Sequence, residues 1–348
     1  MKKIGYAFVR FFIRILLWFY FKKITHQGLG NIPKNKPVIF LPNHQNAFLD
    51  TILIGTQCRR SPYFLTRADV FKNVVLKSIF SFFKMIPIYR MRDGISSLAN
   101  NQKTFDFCAN LLSRNEALVI FPEANHNLQR RVRPLSKGFI RIILNALEAY
   151  PEMDIQLVPV GLNYQSAEDF PDSASVYYGV PISVNQFFNP QDKTASIQEI
   201  KRQVFKSLTT LTTHIDDDVR YKFTIQKLDA FGADYTKPKE INEKIAYLSS
   251  ISKLPETITE ANSFDVLKKW VFMGVNFPVL ILWNLFLKTK IKEIEFLSTF
   301  RFAYSVIIFP IYYGLIIFGV YLFTQEITAA LLVALGAFIY NLIYTKTI

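Results

Sequence analysis

The hydrophobic pattern changes along the 348-residue chain and separates it into a mixed region and two apolar ends. Residues 36 to about 185 alternate short apolar runs with segments of helical periodicity, which predicts an α/β domain. Predicted strands cover residues 38–41, 63–66, 117–121, 156–162 and 176–180, and predicted helices cover 50–57, 70–83, 95–113 and 137–149.

The first apolar end is residues 4–21, which only Arg10 and Arg14 interrupt. Two arginines one turn apart, with Trp18 and Tyr20 near one end, indicate an amphipathic helix in the headgroup region rather than a spanning helix. We therefore assign residues 1–24 to a membrane-associated helix.

The second apolar end begins near residue 265, after a polar helical extension over 216–264 that follows the α/β domain at 25–215. Residues 302–323 and 327–344 carry no charge, and each is close to the roughly 20 residues that cross a bilayer, so they predict a transmembrane hairpin. Residues 270–287 are also uncharged but contain polar breaks, and we expect them to be re-entrant or interfacial. Basic residues flank the hairpin, which predicts that both of its ends, and the catalytic domain, are cytoplasmic.

The formal charge of +14 changes this picture little, because the basic residues are interleaved with apolar and aromatic runs. Residues 1–49 hold eight Lys or Arg and no acid, a pattern that favours an anionic lipid surface over nucleic acid. Cys58 and Cys108 belong to no metal-binding spacing, so neither a structural zinc site nor any other metal site is predicted.

The candidate chemistry lies where the strand at 38–41 ends, at His44 and Asp50. On one regular helix a six-residue step separates two side chains by roughly 240°, so these two can meet only across a turn. With Asp50 in the first turn of the following helix, its carboxylate can hold one ring nitrogen while the other faces a substrate hydroxyl. The pair is a candidate general base with its orienting partner.

These residues resemble the first signature block of the glycerolipid acyltransferases, Asn-His-x-x-x-x-Asp, with one residue more between His44 and Asp50. The apolar run at 85–89 closes on Arg90 and resembles the second block, in which arginine can clamp a phosphate. The run at 134–139 resembles the element that follows the third block. The run at 156–162 resembles the fourth block.

The third block of the family, Phe-Pro-Glu-Gly-Thr-Arg, is only partly present. Glu123 matches, whereas Ala124, Asn125 and His126 replace Gly, Thr and Arg. Because a largely neutral histidine cannot offer the bidentate fork of arginine, two alternatives stay open. Either the acceptor is not a phosphate ester, or phosphate binding has moved to the basic residues just beyond, Arg130, Arg131, Arg133 or Lys137.

The resemblance implies a mixed central sheet flanked by helices and an enzyme that transfers a fatty acyl group from acyl-CoA or acyl-ACP to a lysophospholipid hydroxyl. It implies 1-acylglycerol-3-phosphate as the acceptor, His44 as base, Asp50 as its partner, and no cofactor. Substrate contacts are then expected from Asn43, Arg90, Glu123, His126 and the four basic residues named above. Other acceptors, namely glycerol-3-phosphate or the hydroxyl of an N-acyl amino-acid lipid, and a non-catalytic lipid-binding scaffold, are the alternatives.

Overall fold

The computed structural model of the chain describes residues 2–72, 74–89, 100–249 and 263–348. Its centre is an eight-stranded sheet in the order β1-β7-β6-β2-β5-β3-β4, with β8 also paired to β6. Strand β6 runs antiparallel to β7 and β8 and every other pairing is parallel, so the predicted mixed sheet is confirmed. The strands are β1 (Lys23–Gln27), β2 (Val38–Pro42), β3 (Tyr63–Arg67), β4 (Met85–Ile88), β5 (Ala117–Val119), β6 (Gln156–Tyr164), β7 (Ser173–Tyr178) and β8 (Ile182–Ser183).

Helices cover both faces of this sheet, which is why the five residues of β2 are all buried and nearly all apolar. Helices α4, α5 and α6 form the core on one face, and α1, α2 and the start of α11 form the core on the other. The helices are α1 (Lys2–Tyr20), α2 (Ala47–Gln57), α3 (Val74–Phe82), α4 (Asn100–Ser113), α5 (Gly138–Ala149), α6 (Lys193–Leu211), α7 (Tyr221–Ala230), α8 (Pro238–Ser249), α9 (Ser263–Val275), α10 (Phe277–Leu282), α11 (Leu297–Thr324) and α12 (Ile327–Thr347).

All five predicted strands are present, with ends shifted by up to three residues, but the pattern did not predict three others. Strand β1, Lys-Ile-Thr-His-Gln, carries polar residues because it is an edge strand that pairs only with β7. Strands β4 and β8 are four and two residues long, too short for periodicity to detect. The predicted helix at 95–113 begins among residues outside the described part.

The N-terminal helix uses its arginines differently from the prediction. Arg10 and Arg14 point inward and donate to backbone carbonyls at the C-terminal end of α2, including that of Thr56 at 3.3 and 2.9 Å. Those carbonyls have no partner within the helix, so the two guanidinium groups satisfy them. The outward side is apolar, with Phe8 68% and Phe11 61% exposed. The interfacial location stays a prediction, but the arginines are not its headgroup contacts.

The C-terminal region contains two helices that are long and apolar enough to cross a bilayer, Ile294–Thr324 and Ile327–Thr347, which contain the predicted spans 302–323 and 327–344. The preceding segments Phe264–Val275 and Phe277–Lys290 meet at an angle of 83°. Asn276 at this bend is fully buried and exchanges two amide hydrogen bonds with Asn341 of α12, at 2.7 and 2.9 Å. Whether residues 270–287 are re-entrant or interfacial stays a prediction.

Candidate active site

The site lies where β2 ends, and Asn43 fixes the chain as it leaves this strand. Its amide donates to the carbonyl of Leu162 at 2.9 Å and accepts from the Leu162 N–H at 2.7 Å, so it is joined on both sides to β6. Asn43 is 3% exposed. Its side chain thus holds the following loop against the sheet, and its predicted contact with substrate stays a prediction.

The structure brings His44 and Asp50 together, with Nδ1 of the ring 2.8 Å from Oδ2 of the carboxylate. Asp50 is fully buried, and the same oxygen accepts the backbone N–H groups of Gln45 and Asn46, each at 2.9 Å. Its other oxygen accepts the hydroxyl of Tyr164 at 2.6 Å. These donors replace the water that a buried carboxylate loses. Because the carboxylate accepts at Nδ1, the opposite ring nitrogen Nε2 is left to take up a proton.

The additional residue between His44 and Asp50 is accommodated by an early start of α2. The helix begins at Ala47 and not at Asp50 as predicted, and Ala47 has a φ of 38° in the left-handed region. Gln45 and Asn46 form the turn, and the carbonyl of Asn46 accepts from the N–H of Leu49 at 3.0 Å. Asp50 therefore still lies in the first helical turn, facing back toward the end of β2.

Phe121, which lies two residues beyond the end of β5, stacks on the imidazole of His44 and restricts its orientation. The two rings are stacked with their centroids 3.8 Å apart and their planes 22° apart. The side chain of His44 is 14% exposed, so one edge remains accessible. His126 of the third block presents its ring edge-on, with centroids 5.5 Å apart. His126 is therefore a direct neighbour of the His44 ring in the site.

Glu123 does not stand free for substrate in this structure. Its side chain is 2% exposed and accepts from Nε and Nη2 of Arg133, at 3.0 and 2.6 Å. Burial raises the pKa of Glu123, and the adjacent guanidinium opposes that shift. Glu123 and Arg133, which were both predicted to bind substrate, are paired with each other. A ligand that binds to either of them must displace or share this ion pair.

Two more of the basic residues that were predicted to bind substrate, Arg130 and Arg131, also have partners within the protein. Arg130 donates to the carbonyls of Tyr164 and Gln165 at 2.9 and 2.7 Å, and its guanidinium lies 3.5 Å from the ring centroid of Tyr235. Arg131 donates to the carbonyl of Ile215 at 2.9 Å. Its other two guanidinium nitrogens donate to the Asp218 carboxylate and to the Asp216 carbonyl. Lys137 is exposed at the start of α5. Arg90 lies outside the described residues.

One part of the site was not predicted from the sequence, namely residues 293–299, which lie just before α11 and in its first turn. Glu293 Oε2 lies 3.2 Å from His126 Nε2, and Glu295 Oε2 lies 3.8 Å from His126 Nδ1. The ring of Phe296 meets His126 edge-on at 5.1 Å, and Thr299 Oγ1 accepts the N–H of Leu49 at 3.2 Å. The C-terminal region thus contacts both the third block and the first turn of α2, which carries Asp50.

An apolar cleft adjoins the helix that carries Asp50. It is lined from α2 by Phe48, Thr51, Ile52 and Gly55, and from across the cleft by residues of α1, β3 and β4.

In the described part of the chain, no three His, Cys, Asp or Glu side chains are grouped as they are around a metal ion. The polar groups that surround His44 are bound to one another, as the contacts of Asp50 with His44, Gln45, Asn46 and Tyr164 show. The absence of a metal or a cofactor from the reaction stays a prediction.

Comparison with known proteins supports the predicted family. Residues 23–163 match the family described as Acyltransferase. Glycerol-3-phosphate O-acyltransferase 1 of Saccharomyces cerevisiae is 27% identical over 111 residues, which are 30% of this chain and 15% of that protein. Glycerol-3-phosphate O-acyltransferase 2 of the same yeast is 24% identical over 203 residues, 55% of this chain and 26% of that protein.

A similarity to a solved structure is also found. The 1-acyl-sn-glycerophosphate (LPA) acyltransferase of Thermotoga maritima matches with a TM-score of 0.42 and 16% identity, over 59% of this chain and 80% of that one. The chain spans about a quarter or less of the length of the two yeast relatives. The matched segment begins with β1, contains His44, Asp50 and Glu123, and ends in β6. Through this segment the chain is similar to the Acyltransferase family and to the two yeast glycerol-3-phosphate O-acyltransferases, as the resemblance in the sequence predicted.

Proposed function

We propose that the chain is a membrane-bound O-acyltransferase that transfers a fatty acyl group from acyl-CoA or acyl-ACP to the hydroxyl of a lysophospholipid in phospholipid synthesis. The observation that carries this proposal is the 2.8 Å contact between His44 Nδ1 and a fully buried Asp50 carboxylate. The match of residues 23–163 to the Acyltransferase family supports acyl transfer as the reaction class.

In the proposed reaction, His44 Nε2 removes the proton of the acceptor hydroxyl while the hydroxyl oxygen attacks the thioester carbonyl. Asp50 stabilises the imidazolium that forms, since it already accepts a bond from the opposite ring nitrogen. The tetrahedral intermediate then expels the thiolate, which takes the proton from the imidazolium, so that an ester and a free thiol result. Base catalysis of this kind contributes about 10²- to 10⁴-fold.

The apolar cleft beside α2 is our proposed location for the fatty acyl chain. Phe48 and Ile52 line it from the helix that carries Asp50, so the acyl chain and the reacting carbonyl can be bound by one element. Each methylene that leaves water contributes about 0.8 kcal/mol.

Three acceptors are candidates for this reaction. The family resemblance favours 1-acylglycerol-3-phosphate, which has a free hydroxyl next to its acyl ester. Glycerol-3-phosphate is the second candidate, because both yeast relatives are named glycerol-3-phosphate O-acyltransferases. The hydroxyl of an N-acyl amino-acid lipid is the third, since the arginine of the third block is His126 here.

The membrane location rests on the two apolar helices at the C-terminus, and we propose that they anchor the catalytic domain to the cytoplasmic face. Lys288, Lys290, Lys292 and Arg301 precede the hairpin and Lys346 ends it, which is the distribution expected of cytoplasmic flanks. The bilayer is thus a partner as well as the source of the acceptor.

The test is transfer from a labelled acyl thioester by the purified full chain in nanodiscs, with each candidate acceptor in turn. We expect the His44→Ala variant to lose at least about 10²-fold in turnover while its thermal unfolding is unchanged. His26→Gln is the matched control, because His26 lies on the edge strand β1. Full turnover by folded His44→Ala would contradict the mechanism. No transfer by the wild type to any acceptor would favour the lipid-binding scaffold instead.

A further inference from the structure

The electrostatics of the third block differ from what a phosphate-binding site requires. In the family's third block an arginine is expected where this chain has His126, whose ring lies 5.5 Å from that of His44. Any acceptor whose hydroxyl reaches His44 must therefore place neighbouring headgroup atoms near His126. The charges around His126 decide which headgroups can be tolerated there.

Two carboxylates approach His126 from the 293–299 segment. Glu293 and Glu295 lie 3.2 and 3.8 Å from its two ring nitrogens, and their side chains are 54% and 18% exposed. Burial lowers the pKa of His126, and the neighbouring His44 lowers it further, so the ring is mainly neutral near pH 7. A neutral His126 ring does not cancel the negative charges of the two glutamates.

The nearby guanidinium groups do not supply the missing positive charge. Arg133 is paired with Glu123, while Arg130 and Arg131 donate to backbone carbonyls on the side of the domain that carries α7 and α8. Lys288, Lys290 and Lys292 precede the glutamates on the same linker and are exposed. They are the groups in the described part of the linker that would oppose an acidic headgroup site.

The position of the 293–299 segment is fixed by contacts with the site itself. Thr299 accepts a hydrogen bond from the N–H of Leu49 in the first turn of α2, the turn that carries Asp50. Phe296 packs edge-on against His126. The glutamates are therefore carried on a segment that is joined to both halves of the site, rather than on a free surface loop.

We infer that Glu293 and Glu295 are specificity-determining residues that favour an acceptor headgroup bearing an ammonium group over one that ends in a phosphate monoester. An ammonium group can pair with both carboxylates, whereas a phosphate monoester carries close to two negative charges at neutral pH and is repelled by them. This inference rests on the proposed acyl transfer. It ranks 1-acylglycerol-3-phosphate, which the family resemblance favours, below acceptors that bear an ammonium group.

The experiment compares three acceptors that share the same 1-acylglycerol hydroxyl and differ only in headgroup. Lysophosphatidylethanolamine carries an ammonium group, lysophosphatidylglycerol has the phosphodiester without it, and 1-acylglycerol-3-phosphate has the phosphate monoester. The full chain is assayed in nanodiscs of uncharged phosphatidylcholine at fixed acyl thioester. We expect kcat/KM for lysophosphatidylethanolamine to exceed that for 1-acylglycerol-3-phosphate by at least about tenfold, with lysophosphatidylglycerol closer to the latter.

The double variant Glu293→Gln, Glu295→Gln should reduce that ratio about tenfold, mainly through KM, because charge pairing acts on binding and leaves His44 in place. Glu326→Gln is the matched control, since Glu326 is an exposed carboxylate in the turn between α11 and α12. The control should keep the wild-type ratio.

Three results would overturn the inference: a wild-type preference for 1-acylglycerol-3-phosphate, equal use of the ethanolamine and glycerol headgroups, or an unchanged ratio in the double variant. In each of them the proposed acyl transfer survives, because transfer to at least one acceptor is observed and depends on His44. Absence of transfer to every acceptor is instead the failure of the proposed function, and the inference fails with it.

Discussion

The two sides of the candidate site are built in different ways. On one side Asp50 is fully buried and its two oxygens accept four hydrogen bonds of 2.6 to 2.9 Å. On the other side Glu293 is half-exposed, and the carboxylates approach His126 at 3.2 and 3.8 Å. Buried, fully satisfied bonds hold one geometry, whereas exposed ion pairs contribute little to stability and can exchange partners with a ligand. This difference agrees with our proposal that the first side transfers the proton and the second side selects the headgroup.

The strongest way to break this division is Asp50→Asn, which we expect to affect both activity and folding. The amide replaces one acceptor by an NH₂ group that faces donors from Gln45 and Asn46 or from Tyr164. Loss of the imidazolium partner should lower turnover by about 10³- to 10⁴-fold. Unpaired buried donors should lower the free energy of unfolding by about 2 kcal/mol. Turnover with labelled thioester and thermal unfolding in detergent measure the two effects; a loss of less than tenfold in turnover would contradict the role of Asp50.

A smaller effect is expected from Tyr164→Phe, which removes one donor from Asp50 and leaves the other three. Burial and the adjacent carboxylate raise the pKa of Tyr164 well above its usual value, so its hydroxyl keeps its proton and donates. Removing a buried hydrogen bond to a charged group should cost about 1.5 to 3 kcal/mol of unfolding free energy and reduce turnover by about tenfold.

Tyr178→Phe is the matched control for that experiment. Tyr178 is also buried against the sheet, but its hydroxyl has no hydrogen-bond partner among the residues that the structure describes. We expect it to leave unfolding and turnover close to wild type. Equal effects of the two substitutions would show that Tyr164 acts through packing alone and not through Asp50.

The smallest expected effect is a pH dependence of stability from the exposed side. Because burial and His44 lower the pKa of His126 in the folded chain, the unfolded chain binds more protons as the pH falls below about 6.5. The contribution of His126 to stability is therefore fully present above that pH and is lost as the pH falls. Unfolding of the wild type and of His126→Gln between pH 8 and pH 5 should diverge in that direction. Parallel curves would contradict a lowered pKa of His126 in the folded chain.

Much of the fold follows from local sequence alone. Period-two and period-3.6 hydrophobic patterns located the central strands, the helix at 138–149 and the two apolar helices, because each of these elements buries its own residues in a regular repeat. The same reasoning brought His44 and Asp50 together, since six residues across one turn leave few other arrangements. Short edge strands such as β1 were missed, because pairing with β7, and not local pattern, makes them strands.

The partners of the site residues depended on tertiary structure. Thr299 meets Leu49 across 250 positions of sequence, and Tyr164 meets Asp50 across 114. Three of the cations predicted to bind substrate, Arg130, Arg131 and Arg133, are paired with Glu123 or with the backbone carbonyls of distant segments. The sequence by itself determined which groups can carry out the chemistry. Only the packing of segments far apart in the chain decided which of their charges remain available, because a charge pairs with whatever the fold places beside it.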